Sequence, residues 1–207
     1  MHGIADQVRN GFNEYVEELA KEEGVILLTL TKFNTSTTTP FTAVPLVDVP
    51  RMTTQNYMPN GSTALYDAIA NTVNAVEKSV DANTKVITVI MTDGQENASI
   101  ENSEKQVNAL IKAKTAEGNW TFVFLGADQD AWAQAQGLGI ARGNTIAYAS
   151  SSHSHAMRGV TQATAHTHSA KGGQTASIFA DAGQDQADYD NADEAFSQPN
   201  PSTTSNS

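Results

Sequence analysis

The chain has 207 residues, 39% of them apolar and 17% charged, which suits one domain with its own core and argues against disorder throughout. Its formal net charge is −11, yet six of the acids (Asp181, Asp185, Asp188, Asp190, Asp193 and Glu194) fall in residues 181–207, which hold no Lys or Arg; with no basic stripe anywhere, binding to nucleic acid or to an anionic membrane surface lacks its electrostatic basis. The absence of cysteine excludes disulfides, thiolate nucleophiles and cysteine metal sites, and with neither a secretory-type start nor an apolar run of about 20 residues the chain reads as cytoplasmic, with no membrane contact.

From Ile4 to Glu23 the apolar residues Ile4, Val8, Phe12, Tyr15, Val16 and Leu19 recur at helical spacing, and Gly24 supplies a stop. The run VILLTLTKF, residues 25–33, has the length and apolar content of a buried strand. Asn34 to Thr39 reads as a Thr-rich turn. Phe41 to Val49 follows as an edge strand, interrupted by Pro45 and closed by Pro50, because proline cannot donate to a ladder. The loop MPNGSTALYDAI then leads into a helix with Leu65, Ala68, Ile69, Val73, Val76 and Val80 on one face, capped by Ser62 or Thr63.

KVITVIMT, residues 85–92, is the clearest buried strand, and Asp93-Gly94 breaks it into a polar loop. A helix is expected from about Glu101 to Glu117, a strand over residues 120–126 (WTFVFLG), and a short helix from Ala127 to Gln136 stopped by Gly137. A weak strand at Thr145 to Tyr148 and a helix between Ser152 and Ala170 complete the body. This divides the chain into a core over 1–150, a helical extension packed on it over 151–180, and an acidic, disordered tail over 181–207. Alternating strands and helices predict an α/β fold with a mostly parallel sheet wrapped by helices on both faces. Ligands in such folds bind at the carboxyl ends of strands, which directs attention to the loops at Asn60–Thr63 and Thr92–Ser99.

The segments PNGSTALYDAI (59–69) and VITVIMTDGQENAS (86–99) are similar to two signature segments of von Willebrand factor A-type (vWA) domains, and the likeness, to the bacterial and phage branch, extends over about residues 1–150. The resemblance implies a Rossmann-like, doubly wound sheet and a non-enzymatic, protein-binding function. It further implies a metal ion-dependent adhesion site in which Thr63 and Asp93 bind Mg²⁺ or Mn²⁺, with one position left for an acidic residue of a protein partner.

The family's main metal motif, Asp-x-Ser-x-Ser, ends a central first strand that leads directly into the helix found here at Ile4–Glu23, and neither strand nor motif occurs in these residues. A buried strand of about five apolar side chains is worth on the order of 10 kcal/mol, comparable to the whole stability of a domain. The resemblance therefore implies that this strand is encoded in frame upstream of Met1, or that it is donated by another chain. With the metal site incomplete, Mg²⁺ binding is expected to be weak or absent.

Plainer readings stand beside these. Thr63 could serve only as a helix cap, and Asp93-Gly94 only as a turn. His153, His155, His166 and His168 have spacings that do not suit zinc and are read as solvent-facing. Asp128 and Asp130 are read as charging the start of the next helix. Two other functions remain open: a structural component of a phage or other large assembly, and a metal-assisted hydrolase, for which Asp67 and Glu96 are the nearby acids that could act as base.

Overall fold

The computed structural model describes residues 5–127, 131–148, 153–170 and 177–181. In chain order the elements are α1 (Ala5–Leu19), β1 (Leu27–Phe33), β2 (Thr37–Pro45), α2 (Leu65–Glu77), β3 (Val86–Thr92), α3 (Glu104–Ala116), β4 (Trp120–Ala127), α4 (Ala131–Gly137), β5 (Thr145–Tyr148), α5 (His153–Ser169) and α6 (Ile178–Asp181). Strands β3, β4 and β5 form a parallel sheet in that order, while β1 and β2 form a separate antiparallel hairpin. The expected single sheet is thus two sheets among the described residues, because β1 pairs only with β2 and β3 only with β4.

Successive residues of a strand face opposite sides of its sheet, and β4 shows what that does to the core. Trp120, Phe122 and Phe124 join Val86 and Ile90 of β3 against Leu65, Ile69 and Val73 of α2 and Val107 and Ile111 of α3. Val123 and Leu125 point the other way, with Ile146 and Tyr148, toward Val8 of α1, Ala156, Val160 and Ala163 of α5, and Ile178 and Phe179 of α6. The molecule is therefore a mixed α/β fold of three layers, with the parallel sheet between two helical ones. The continuous apolar runs of β3 and β4 follow from that double cover.

Three local expectations need correction. The Thr-rich stretch is strand rather than turn: β2 begins at Thr37, paired with Phe33, across a loop of only three residues in which Asn34 Oδ1 accepts the Ser36 N–H at 3.0 Å. β-Branched threonines suit that pleat, Ala43 takes a positive φ of 52° near a register shift, and the segment Leu46–Asp48 is a short 3₁₀ turn. The cap of α2 comes from elsewhere too. Its N-cap is Ala64, without a side-chain bond, and the free N–H groups of the first turn are met by Glu96 and Ser99, thirty residues on: Tyr66 N–H donates to Glu96 Oε2 at 3.0 Å and Asp67 N–H to Ser99 Oγ at 3.1 Å.

The third correction is His153, read as solvent-facing. It is 0% exposed, edge-on to Tyr148 at 5.4 Å, with Nε2 3.3 Å from Met91 Sδ. Burial lowers its pKa to about 4, so the ring is neutral near pH 7. His155 and His166 are exposed and His168 is half-buried. Asp128, Asp130 and the tail from 182 to 207 lie outside the described residues. Within the 151–180 extension, α5 and α6 lie in the apolar layer with α1. No helix among the described residues is long and apolar enough to cross a membrane.

Candidate functional site

Strands β1 and β3 run in the same direction, as the contacts at their two ends show. At the carboxyl ends, Asn34 after β1 accepts the Ala64 N–H at 2.7 Å and donates from Nδ2 to Asn60 Oδ1 at 3.0 Å. The loop after β3 reaches the same segment: Thr63 N–H donates to Asn97 Oδ1 at 2.8 Å, and the Asn97 N–H to the Thr63 carbonyl at 3.0 Å. At the amino ends, both strands meet the last turn of α5. His168 Nε2 lies 2.7 Å from the Glu23 carbonyl, before β1, while Lys85, before β3, donates to the Thr167 carbonyl at 3.0 Å and to that of Ala170.

Between these parallel strands lies a cavity of about 1320 Å³, lined by every residue of both. Its floor and roof are helical: Phe12 and Tyr15 of α1 with Val160 of α5 on one side, Leu65, Ile69 and Val76 of α2 on the other. The effect on burial is plain. Leu28 to Phe33 are all half-buried, as are Ile87, Thr88, Val89 and Met91, although the sequence marks both strands as core.

Thr63 and Asp93 both line the cavity's mouth at the carboxyl ends of the strands, which is where the sequence reading placed them relative to the sheet. Their loops touch: a Cβ added to Gly94 would sit 2.8 Å from Thr63 Oγ1, so the backbone beside Asp93 can approach Thr63 this closely only without a side chain. Gly94 is further fixed by Thr92, whose Oγ1 accepts the Gly94 N–H at 3.2 Å and donates to its carbonyl at 2.9 Å. Asp93 is exposed and Thr63 half-buried. The resemblance implies a divalent cation here, and this pair offers it one carboxylate and one hydroxyl. Among the described residues no group of three or more His, Cys, Asp or Glu side chains is placed to hold a metal. Mg²⁺ demands near-octahedral oxygen coordination, and two side-chain donors do not by themselves make a fitting site.

The two acids that the sequence offers as a general base, Asp67 and Glu96, are committed elsewhere. Asp67, only 6% exposed, accepts the backbone N–H groups of Ile100 (2.9 Å), Glu101 (3.2 Å) and Asn102 (2.8 Å) and the Asn102 side-chain amide (3.0 Å). Burial pushes its carboxyl up, but these bonds together outweigh burial and leave its pKa below the ordinary carboxylate value. Glu96 accepts the N–H groups of Ala98 (2.8 Å), Ser99 (2.7 Å) and Tyr66 (3.0 Å) and the Ser99 hydroxyl (2.7 Å). Its pKa is likewise lowered against the opposing effect of burial. Together they fasten the 96–102 loop to the start of α2. Sequence reasoning noted both acids without finding this role; the signal available was a carboxylate in a helix's first turn opposite a loop rich in Asn and Ser.

No family model matches the chain, and no curated protein matches it. Two structures of proximal thread matrix protein 1 (PTMP1) from the mussel byssus are similar in fold: one at 16% identity with a TM-score of 0.60, the other, a second crystal form, at 14% with a TM-score of 0.57. Each match covers 76% of this chain and 40% of the other, so the chain spans well under half the length of that protein. At such identity the likeness establishes a shared mixed α/β fold and carries no statement about function.

Proposed function

We propose that this chain is a non-enzymatic protein-binding module of the vWA type, whose working end is the loop surface around Thr63 and Asp93. The observation that carries the proposal is the meeting of two loops thirty residues apart in sequence, cross-linked by the Thr63–Asn97 bonds, at the carboxyl ends of parallel strands. These are the two segments whose sequences resemble the family's signatures, and strand carboxyl ends are where α/β sheets bind ligands. In the family such an end grips an acidic residue of a partner through Mg²⁺ or Mn²⁺. Here Thr63 and Asp93 supply too few donors to hold the cation firmly.

Titration of the 207-residue protein with Mg²⁺, followed by backbone amide NMR shifts, tests this reading. The expected result is weak, barely saturating shifts confined to the amides around Thr63 and Asp93, enlarged by an acidic peptide only when Mg²⁺ is present. Tight binding would overturn the claim of an incomplete site, and shifts elsewhere would overturn its location. The hydrolase alternative is disfavoured because a general base must have a lone pair to offer, and the carboxylates of Asp67 and Glu96 are occupied by backbone N–H groups.

A further inference from the structure

The chain holds two Asn-Gly pairs, Asn10-Gly11 and Asn60-Gly61, and one Asp-Gly pair, Asp93-Gly94. Such a pair is open to one reaction that needs no partner. The glycine nitrogen, with no Cβ on its own residue to hinder it, can close a ring onto the carbonyl carbon of the preceding side chain. That nitrogen must lose its proton, so a hydrogen bond from its N–H works against the reaction, as does a backbone locked in a helix. Asn10 is exposed, but Gly11 lies inside α1, where its N–H belongs to the helical ladder and a Cβ would sit 2.9 Å from Met157 Cγ. The Gly94 N–H is held by Thr92 Oγ1 at 3.2 Å.

Asn60-Gly61 is the pair left open, with both residues exposed. In the loop that follows, the N–H groups of Ser62, Thr63 and Ala64 donate to Thr35 Oγ1, Asn97 Oδ1 and the Asn34 carbonyl, whereas the Gly61 N–H has no acceptor among the described residues. Gly61 takes a φ of 80°, and a Cβ there would meet Thr35 Oγ1 at 3.0 Å, so the loop itself requires glycine after Asn60. Asn34 Nδ2 donates to Asn60 Oδ1 at 3.0 Å, which puts a donor on the oxygen where negative charge gathers during attack. We infer that Asn60 is a site of spontaneous deamidation. The deprotonated Gly61 nitrogen bonds to Asn60 Cγ, the Cγ–Nδ2 bond breaks and ammonia leaves, and water then opens the cyclic imide at either carbonyl to give aspartate or isoaspartate. No oxidant or reductant takes part. Asn60 lines the cavity together with Thr63 and Asp93, and Asp93 is the one acid among the described lining residues. The reaction therefore gives the mouth a second carboxylate, of the oxygen type that Mg²⁺ takes. This consequence for the metal rests on the function proposed above, whereas the reaction does not.

The test incubates the full 207-residue protein in mildly alkaline buffer and follows both Asn-Gly peptides by mass spectrometry after proteolysis. Asn60 is expected to convert at least tenfold faster than Asn10, to a mixture of aspartate and isoaspartate, and faster still as the pH rises, because the attacking nitrogen must lose its proton. In concentrated urea the two sites should convert at similar rates, since the helix that protects Asn10 is then gone. Asn60→Asp, which installs the aspartate product, should bind Mg²⁺ at least threefold more tightly than the parent when titrated by amide NMR. No conversion at Asn60, or equal rates at Asn10 and Asn60 in the folded protein, would overturn the inference. A tenfold difference that persists in urea would overturn its structural basis. Unchanged Mg²⁺ affinity of Asn60→Asp would overturn the consequence for the metal alone, and because the peptide map involves no metal, that failure is separable from failure of the reaction.

Discussion

Strand β3 has two flanks, and they differ sharply. Toward β4 it is paired at every residue from Val86 to Thr92, and Val123, Phe124 and Leu125 of that neighbour are all 0% exposed. Toward β1 it faces the cavity, and Leu28 to Phe33 of β1 and Ile87, Thr88, Val89 and Met91 of β3 are only half-buried despite their apolar strands. Apolar character determines what a strand can bury. Whether it does so depends on a neighbour to complete the ladder and hold the covering helices close, and on this flank the helices of both layers border a gap instead.

The contrast is broken most forcefully on the sealed side. Phe124→Ala should cost about 4 kcal/mol, as large-to-small changes at a fully buried aromatic do, whereas Leu30→Ala in β1 should cost about 1 kcal/mol, since its side chain already borders open space. Urea denaturation of the two variants checks the difference. Near-equal losses would mean that the β1 flank is as well packed as β4.

Acid should act next most strongly, through His153 on the sealed face. Its folded pKa of about 4 lies below the ordinary histidine value of about 6.5, so the unfolded chain takes up a proton first as the pH falls. Stability should therefore drop between about pH 6.5 and pH 4, by roughly 3 kcal/mol at 1.36 kcal/mol per pKa unit. His153→Phe should flatten that part of the profile, and a profile identical to that of the parent would exclude this histidine as the source.

Asp67→Asn probes the mouth. It keeps the shape but replaces one oxygen with a donor facing backbone N–H groups, so a loss of about 2 kcal/mol is expected. The lowered carboxyl pKa has the opposite window to the histidine's: its contribution is present above the unfolded value and is lost as pH falls through the acid range, below that in which His153 acts. A variant as stable as the parent near pH 7 would show that the 96–102 loop is held by Glu96 alone.

Much of the layering was legible beforehand. The runs at 86–92 and 120–126 and the spacing of Leu65, Ile69 and Val73 marked the sheet and one helix because burial on two faces leaves an unbroken apolar string, and burial on one leaves a 3.6-residue period. The Thr-rich start of β2 is not marked in the sequence, because threonine suits both turns and pleats. The burial of His153 is not marked in the sequence, because His155 and His166 on the same helix face solvent, and the side taken by one turn depends on where Met91 and Tyr148 arrive.

By itself the sequence determined the α/β alternation and the apolar content of β1 and β3, both properties of local pattern, whereas the pairing of the Thr63 loop with the Asp93 loop was implied only by the resemblance. Only the tertiary structure decided that Asp67 and Glu96 clasp a loop, that His153 is buried, and that β1 and β3 stand apart as parallel walls of a groove. Those outcomes depend on contacts between residues thirty or more positions apart, where bond geometry and the presence or absence of a neighbouring strand leave no periodic mark in the chain.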